Sequence, residues 1–292
     1  MTDHFVAGAD FSGAKTVPND TWLAIAKVGS LGVEIVDLRK VGSHAIAKEV
    51  ADIAGVVAFG IDCPFSVPIE FANFIAAKLV RKDFQAWQEL AQELVFISFE
   101  DFLEWIKEYK KEPKRFTDAK TPAPAISPLH RGNPSMVQMT YTGIRLLAML
   151  DPKRFYVLPF QQPVPFGCAV IEVYPRATLK ALHLPEIGYK SPDKKDEEKV
   201  RAVRQQIVKG ITSLRERKGI TYASYPRLTL ARRFENQAIE SDHALDAIIA
   251  AYTTASFLEA PTLFPDPFEA DNLDVLTEGW IYYLKEPEGS HK

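Results

Sequence analysis

Three short apolar runs, each closed by a carboxylate, constrain this chain more than any other feature. Asp10 follows Phe5-Val6-Ala7-Gly8-Ala9, Asp62 follows Val56-Val57-Ala58-Phe59-Gly60-Ile61, and Glu172 follows Cys168-Ala169-Val170-Ile171. Runs this short and this apolar read as strands buried on both faces, in a sheet covered by helices. Sites in open α/β sheets gather at the carboxyl ends of strands, so acids at three such ends are placed to share one crevice. A fourth acid, Asp246, stands between Leu245 and Ala247 in the otherwise apolar stretch Ala244 to Ala251. Carboxylates brought that close shift one another's pKa values unless a cation compensates. Mg²⁺ or Mn²⁺, held by oxygen ligands, is the natural compensator.

A length of 292 residues admits one large α/β domain or a core domain carrying an insertion. With 47% hydrophobic and 25% charged residues the chain can build a sizeable core, and a net charge of −3 excludes a polycation. The charge is unevenly spread. Residues 180–233 hold 14 Lys/Arg against 6 Asp/Glu, and residues 234–292 hold 2 against 12. That contrast suits an anionic substrate approaching an acidic centre, although a solvated helix face is the plainer account. Cys63 and Cys168, both beside apolar runs, read as small buried hydrophobes in a reducing compartment. No C-x-x-C or His-rich pattern calls for structural zinc. No apolar run approaches the ~18 residues of a membrane span, and the N-terminus does not read as a signal peptide, so a cytoplasmic location is expected.

Strands are expected over 4–10, 21–28, 33–38, 55–61 and 168–174, with Gly29-Ser30-Leu31-Gly32 turning between the second and third. The expected fold is a mixed five-stranded sheet with helices on both faces. Its core comprises residues 1–64 and 168–292, and residues 65–167 form a mainly helical insertion packed on it, within a single domain. Helices are expected over 68–80, 83–94 and 98–110, the last with Ser98 and Asp101 as a capping box, and from Asn133-Pro134 to about Leu150. Later helices are expected over 176–182, 196–218 and 228–259, the last one long or broken, and the tail 278–284 reads as a late strand or a clamp.

Two divalent ions about 4 Å apart can activate water and neutralise a phosphodiester, and such a site needs a bridging carboxylate with others flanking it. Asp10 is the bridging candidate, Asp62 and Glu172 flank it, and Asp246 closes the site from a helix on which Asp242 shares its face. His243, three residues before Asp246, is a candidate ligand or proton shuttle. Lys15, Arg115, Lys120, Arg131 and Lys190 lie in or near predicted loops, where they could meet phosphates. Tyr174, Tyr189, Tyr222 and Tyr225 could stack bases, though core or rim packing is the commoner role for such rings.

Several of these motifs also occur together elsewhere. Asp10-Phe-Ser-Gly-Ala-Lys15, Gly60-Ile-Asp-Cys-Pro64, Glu172-Val-Tyr-Pro175, Gly188-Tyr-Lys190, Asp242-His-Ala-Leu-Asp-Ala247 and Glu278-Gly-Trp-Ile281 resemble, in that order, domain-of-unknown-function family 429, a group of predicted RNase-H-like nucleases. The resemblance implies an RNase-H-like fold with acids on the first strand, the fourth strand and the last helix. It further implies a metal-dependent nuclease acting on DNA or RNA. The final helix is also similar to that of Holliday-junction resolvases, with His243-x-x-Asp246 matching their acid-or-His and Asp pair and Asp242 one position early. Two other functions fit less of the pattern. One is a catalytically silent nucleic-acid or protein-binding module of the same fold. The other is an actin-like ATP-dependent phosphotransferase, to which Asp10-x-Ser-Gly13 has a faint likeness, but the chain contains no Gly-Gly dipeptide and no Walker A pattern.

Overall fold

The computed structural model describes residues 4–13, 21–30, 32–190, 196–214, 221–269 and 274–287. Its strands are β1 (His4–Asp10), β2 (Thr21–Gly29), β3 (Gly32–Val41), β4 (Val56–Asp62), β5 (Phe155–Val157), β6 (Cys168–Glu172) and β7 (Leu228–Thr229). They form one seven-stranded sheet in the order β5-β6-β4-β1-β2-β3-β7. The β1–β2 and β2–β3 pairings are antiparallel; those of β4 with β1, β6 with β4, β5 with β6 and β7 with β3 are parallel. The mixed α/β class is the expected one, but the strand number is corrected from five to seven. The two additions, β5 and β7, are too short to leave a period-2 signature.

The helices are α1 (Ile46–Ala51), α2 (Ile69–Lys78), α3 (Trp87–Phe96), α4 (Phe99–Tyr109), α5 (Phe116–Lys120), α6 (Pro134–Ala148), α7 (Pro175–Ala181), α8 (Glu197–Thr212), α9 (Arg232–Glu240), α10 (Asp242–Glu259) and α11 (Val275–Glu278). They cover both faces of the sheet. Alternation along β1 sends Val6 into the apolar layer of α7 to α10, and sends Ala7 and Ala9 into the layer of α1 to α4 and α6. The segment 65–167 therefore shares a continuous core with Phe59 and Ile61 of β4, and it also supplies the edge strand β5.

The stretch 228–259 is broken. Ser241 adopts an extended backbone between α9 and α10, and its hydroxyl accepts from Ala244 N at 3.3 Å as the N-cap of α10. From Ala244 to Ser256 every residue of α10 is buried. Its threonine and serine hydroxyls in this stretch turn back on the helix, with Thr253, Thr254 and Ser256 each donating to the carbonyl four residues back, while the Tyr252 hydroxyl donates to Pro226 O at 3.1 Å.

Small residues let α10 lie directly on β1 and β4. A methyl group at Gly8 would overlap the backbone of Ala250 and Ala251, and one at Gly60 would overlap the Thr254 hydroxyl. Gly8→Ala is expected to cost about 3 kcal/mol, the upper end of overpacking penalties, because backbone and not a flexible side chain must give way. Chemical denaturation measures this. Wild-type stability in the variant would mean that α10 retreats freely.

The tail acts as a clamp and not as a strand. It makes a single bridge, Glu172 with Ile281, with Tyr282 N donating to Glu172 O at 2.8 Å. The Glu278 carboxylate accepts from Ile69 N at 2.7 Å and Phe116 N at 2.8 Å, the first amides of α2 and α5. A carboxylate at two helix N-termini satisfies orphan donors and the positive ends of two dipoles.

Candidate functional site

β1 and β4 are parallel neighbours, in a register that sets Asp10 beside Asp62 at their carboxyl ends. Both acids continue the faces on which Gly8 and Gly60 meet α10. Asp246 lies on the second turn of that helix, above the strand ends. One carboxylate oxygen from each of Asp10, Asp62 and Asp246 lies within 4.8 Å of the other two. Asp246 is wholly buried, Asp10 nearly so, and Asp62 is partly open to solvent.

Each acid's environment differs. The Tyr189 hydroxyl donates to Asp246 Oδ1 at 3.1 Å, and the Lys190 ammonium lies 2.6 Å from Asp246 Oδ2. His243 Nδ1 lies 2.6 Å from Asp10 Oδ2. Burial, then the Asp10 and Asp246 charges, push the Asp62 carboxyl well above the ordinary range, with Lys190 pulling against them. Burial likewise pushes Asp246 up to about 6, opposed by Lys190. The hydrogen bond to Asp10 raises the imidazole pKa of His243, which favours its protonated form. Burial works to lower the Lys190 ammonium, but Asp246 and Asp62 outweigh it and the net shift is upward.

Glu172 does not join this group. It sits beside Ile61 in the sheet, one residue out of phase with Asp62, so its side chain leaves by the opposite face with Cys168 and Val170. There Arg115 binds it through Nη1 at 2.8 Å and Nη2 at 2.6 Å, and Phe65 N donates to it at 2.9 Å. Burial pushes the Glu172 carboxyl upward while Arg115 pulls it down. Asp242 also stands apart: it opens α10 and faces the Arg204 guanidinium at 3.4 Å. The four-acid cage expected from the sequence is thus a three-aspartate cluster with His243 and Lys190 against it.

The proposed phosphate contacts divide similarly. Arg115 is 2% exposed and spends its guanidinium on Asp118 and Glu172, so it cannot reach a phosphate. Arg131 is exposed but bound to Glu112 at 2.8 Å, and with His130 it holds the Glu112 carboxyl down at about 2. Lys120 is exposed over the Phe116 ring, 5.1 Å from its centroid. Lys15 lies outside the described residues. Of the tyrosines, Tyr222 and Tyr225 are buried and donate to the Leu182 and Lys285 carbonyls. Tyr174 is partly exposed. It lines a cleft of about 270 Å³ with Asp62, Arg176, Tyr189, Lys190 and Asp246.

Sequence reasoning missed one residue that builds the site, Arg204, and the role of another, Tyr189. Tyr189 was legible only as a ring, since nothing in a sequence tells where a hydroxyl reaches. Arg204 carried no signal beyond its charge, yet its Nε donates to Tyr189 O at 2.7 Å, and Nη1 donates to Glu240 O at 3.0 Å. It thereby ties the Tyr189–Lys190 segment to the end of α9. Cys63 and Cys168 are both buried and free, as their apolar surroundings suggested.

Residues 158–270 match the model of the family described as "Protein of unknown function (DUF429)". That span includes Glu172, Tyr189, Lys190, His243 and Asp246 and begins after Asp10 and Asp62. No curated protein and no solved structure matches the chain.

Proposed function

We propose that this chain is a metal-dependent nuclease whose centre is Asp10, Asp62 and Asp246. The reading is carried by one observation: three aspartates from β1, β4 and α10 converge within 4.8 Å at the carboxyl ends of adjacent parallel strands. These are also the elements on which the resemblance to RNase-H-like nucleases puts its acids. A cluster made wholly of hard oxygen donors suits Mg²⁺ or Mn²⁺ better than zinc or copper. Three aspartates are a donor set for one such ion; a second, as four converging acids would allow, needs oxygens from outside the cluster. When bound, the metal supplies water activation and charge neutralisation at a phosphodiester.

The chain's own residues orient and exclude. Tyr189 fixes the Asp246 carboxylate, and His243 holds a proton at Nδ1 against Asp10. The cleft lined by Tyr174, Arg176, Glu186 and Lys190 opens beside the cluster and offers an aromatic face for a base, with Arg176 paired to Glu186 and Lys190 to Asp246. Among the described residues no helix is long and apolar enough to cross a membrane.

A panel of labelled single-stranded, duplex and branched DNA and RNA, incubated with Mg²⁺ or Mn²⁺, tests this. Wild type is expected to cleave at least one member. Asp10→Asn should lower the rate by about 10⁴-fold, the scale seen when one of several cooperating catalytic groups is lost. One observation favours a second reading, a catalytically silent binding module: Lys190 already offsets charge at Asp246. Retained oligonucleotide binding without cleavage under any metal would select it.

A further inference from the structure

We infer that Lys190 is the built-in counter-cation of the aspartate cluster, one that an incoming metal must displace. The inference deepens the metal-centre reading and rests on it. Both oxygens of Asp246 are engaged by consecutive residues, Oδ1 by the Tyr189 hydroxyl and Oδ2 by the Lys190 ammonium at 2.6 Å. A dication that takes Asp246 as a ligand therefore meets an ammonium already there.

The two partners of that ion pair are held very differently. Asp246 is 0% exposed on a helix whose every neighbour is packed, whereas the Lys190 side chain is 52% exposed. Lys190 reaches Asp246 across the cleft wall, its ammonium 5.5 Å from the centroid of the Tyr189 ring. A compact charge on a flexible four-carbon stem can swing away without disturbing the fold. The backbone need not follow, because Arg204 anchors Tyr189 O. Once displaced, the ammonium is at the rim of the cleft that Tyr174 and Arg176 line, where an anionic strand would approach. One lysine thus serves two states, neutralising the metal-free cluster and facing substrate in the loaded one.

Two measurements on the full chain, neither of them activity, decide this. Without metal, K190M should melt several degrees below wild type, whereas the same change in a D246N background should shift melting little. In calorimetric titration with Mn²⁺, K190M should bind about tenfold more tightly than wild type, because no ammonium competes. K190R, which keeps the charge, should not show that gain. Unchanged metal-free melting in K190M overturns the counter-cation role. Unchanged or weaker Mn²⁺ binding in K190M, with wild type binding normally, overturns displacement alone. If neither wild type nor K190M takes up Mn²⁺, the metal-centre reading itself falls and displacement falls with it.

Discussion

Asp246→Asn is expected to raise the stability of the metal-free protein at pH 7 by about 2–3 kcal/mol and to weaken Mn²⁺ uptake by at least about 100-fold. The Asp246 carboxyl moves from an ordinary 3.8 to about 6 because it is buried, with the Asp10 charge adding to burial and Lys190 opposing it. A native carboxyl that keeps its proton where the unfolded one has lost it is one whose charged form opposes folding. That cost is absent below about pH 4, grows as pH rises, and is fully present above about pH 6. The gain from asparagine should follow the same course, small at pH 4 and largest at pH 7. Asparagine keeps an oxygen for the Tyr189 hydroxyl, so the local geometry is retained while the charge goes. Thermal melts across this pH range, with and without Mn²⁺, measure both effects. A variant that melts below wild type at pH 7, or that takes up Mn²⁺ as wild type does, would remove Asp246 from the centre.

Arg115→Met should be the most damaging single change to the fold, losing about 3–5 kcal/mol. Its guanidinium is 2% exposed and donates to Asp118 Oδ1 at 2.8 Å, to Glu172 Oε1 at 2.6 Å and to Glu278 O at 3.3 Å. This one side chain joins α5, β6 and the C-terminal clamp. Methionine would fill much of the volume but leave two carboxylates buried without a cation, and breaking a buried pair costs far more than the pair itself contributes. Arg115→Lys should recover little, since a single ammonium cannot reproduce a fork that serves both acids at once. Burial already pushes the Glu172 carboxyl upward, so without Arg115 it would take up a proton as pH falls and the deficit should narrow between pH 7 and pH 5. Urea denaturation at the two pH values checks this. A loss under about 1 kcal/mol would mean that the network contributes little, contrary to what partner removal costs elsewhere.

Glu172 and Arg115 show where a sequence stops being informative. Both were candidate site residues, one as a metal ligand and one as a phosphate contact, and each fits its chemistry in isolation. What a sequence cannot carry is phase: Glu172 ends its strand one residue out of step with Asp62, so an acid at the right height points to the wrong side of the sheet. Its partner comes from the proline-rich stretch 112–135, whose shape no periodicity announces. Lys190 illustrates the same limit at shorter range. Its proximity to the site was legible as a loop cation, but its direct contact with Asp246 depends on how the 188–190 segment is pinned by Arg204.

Legible in the sequence were the α/β class, three of the principal strands (β1, β2 and β4) to within a residue, and Asp10, Asp62 and Asp246 as candidate ligands. These follow from local rules, since apolar runs and small residues decide what can be buried and a carboxylate cannot end such a run without a reason. Which acids meet, which cations are spent internally, and that a lysine stands against the cluster emerge from the packed fold alone. Those outcomes depend on strand register, sheet face and side-chain reach between residues distant in the chain, which only the packed fold brings together.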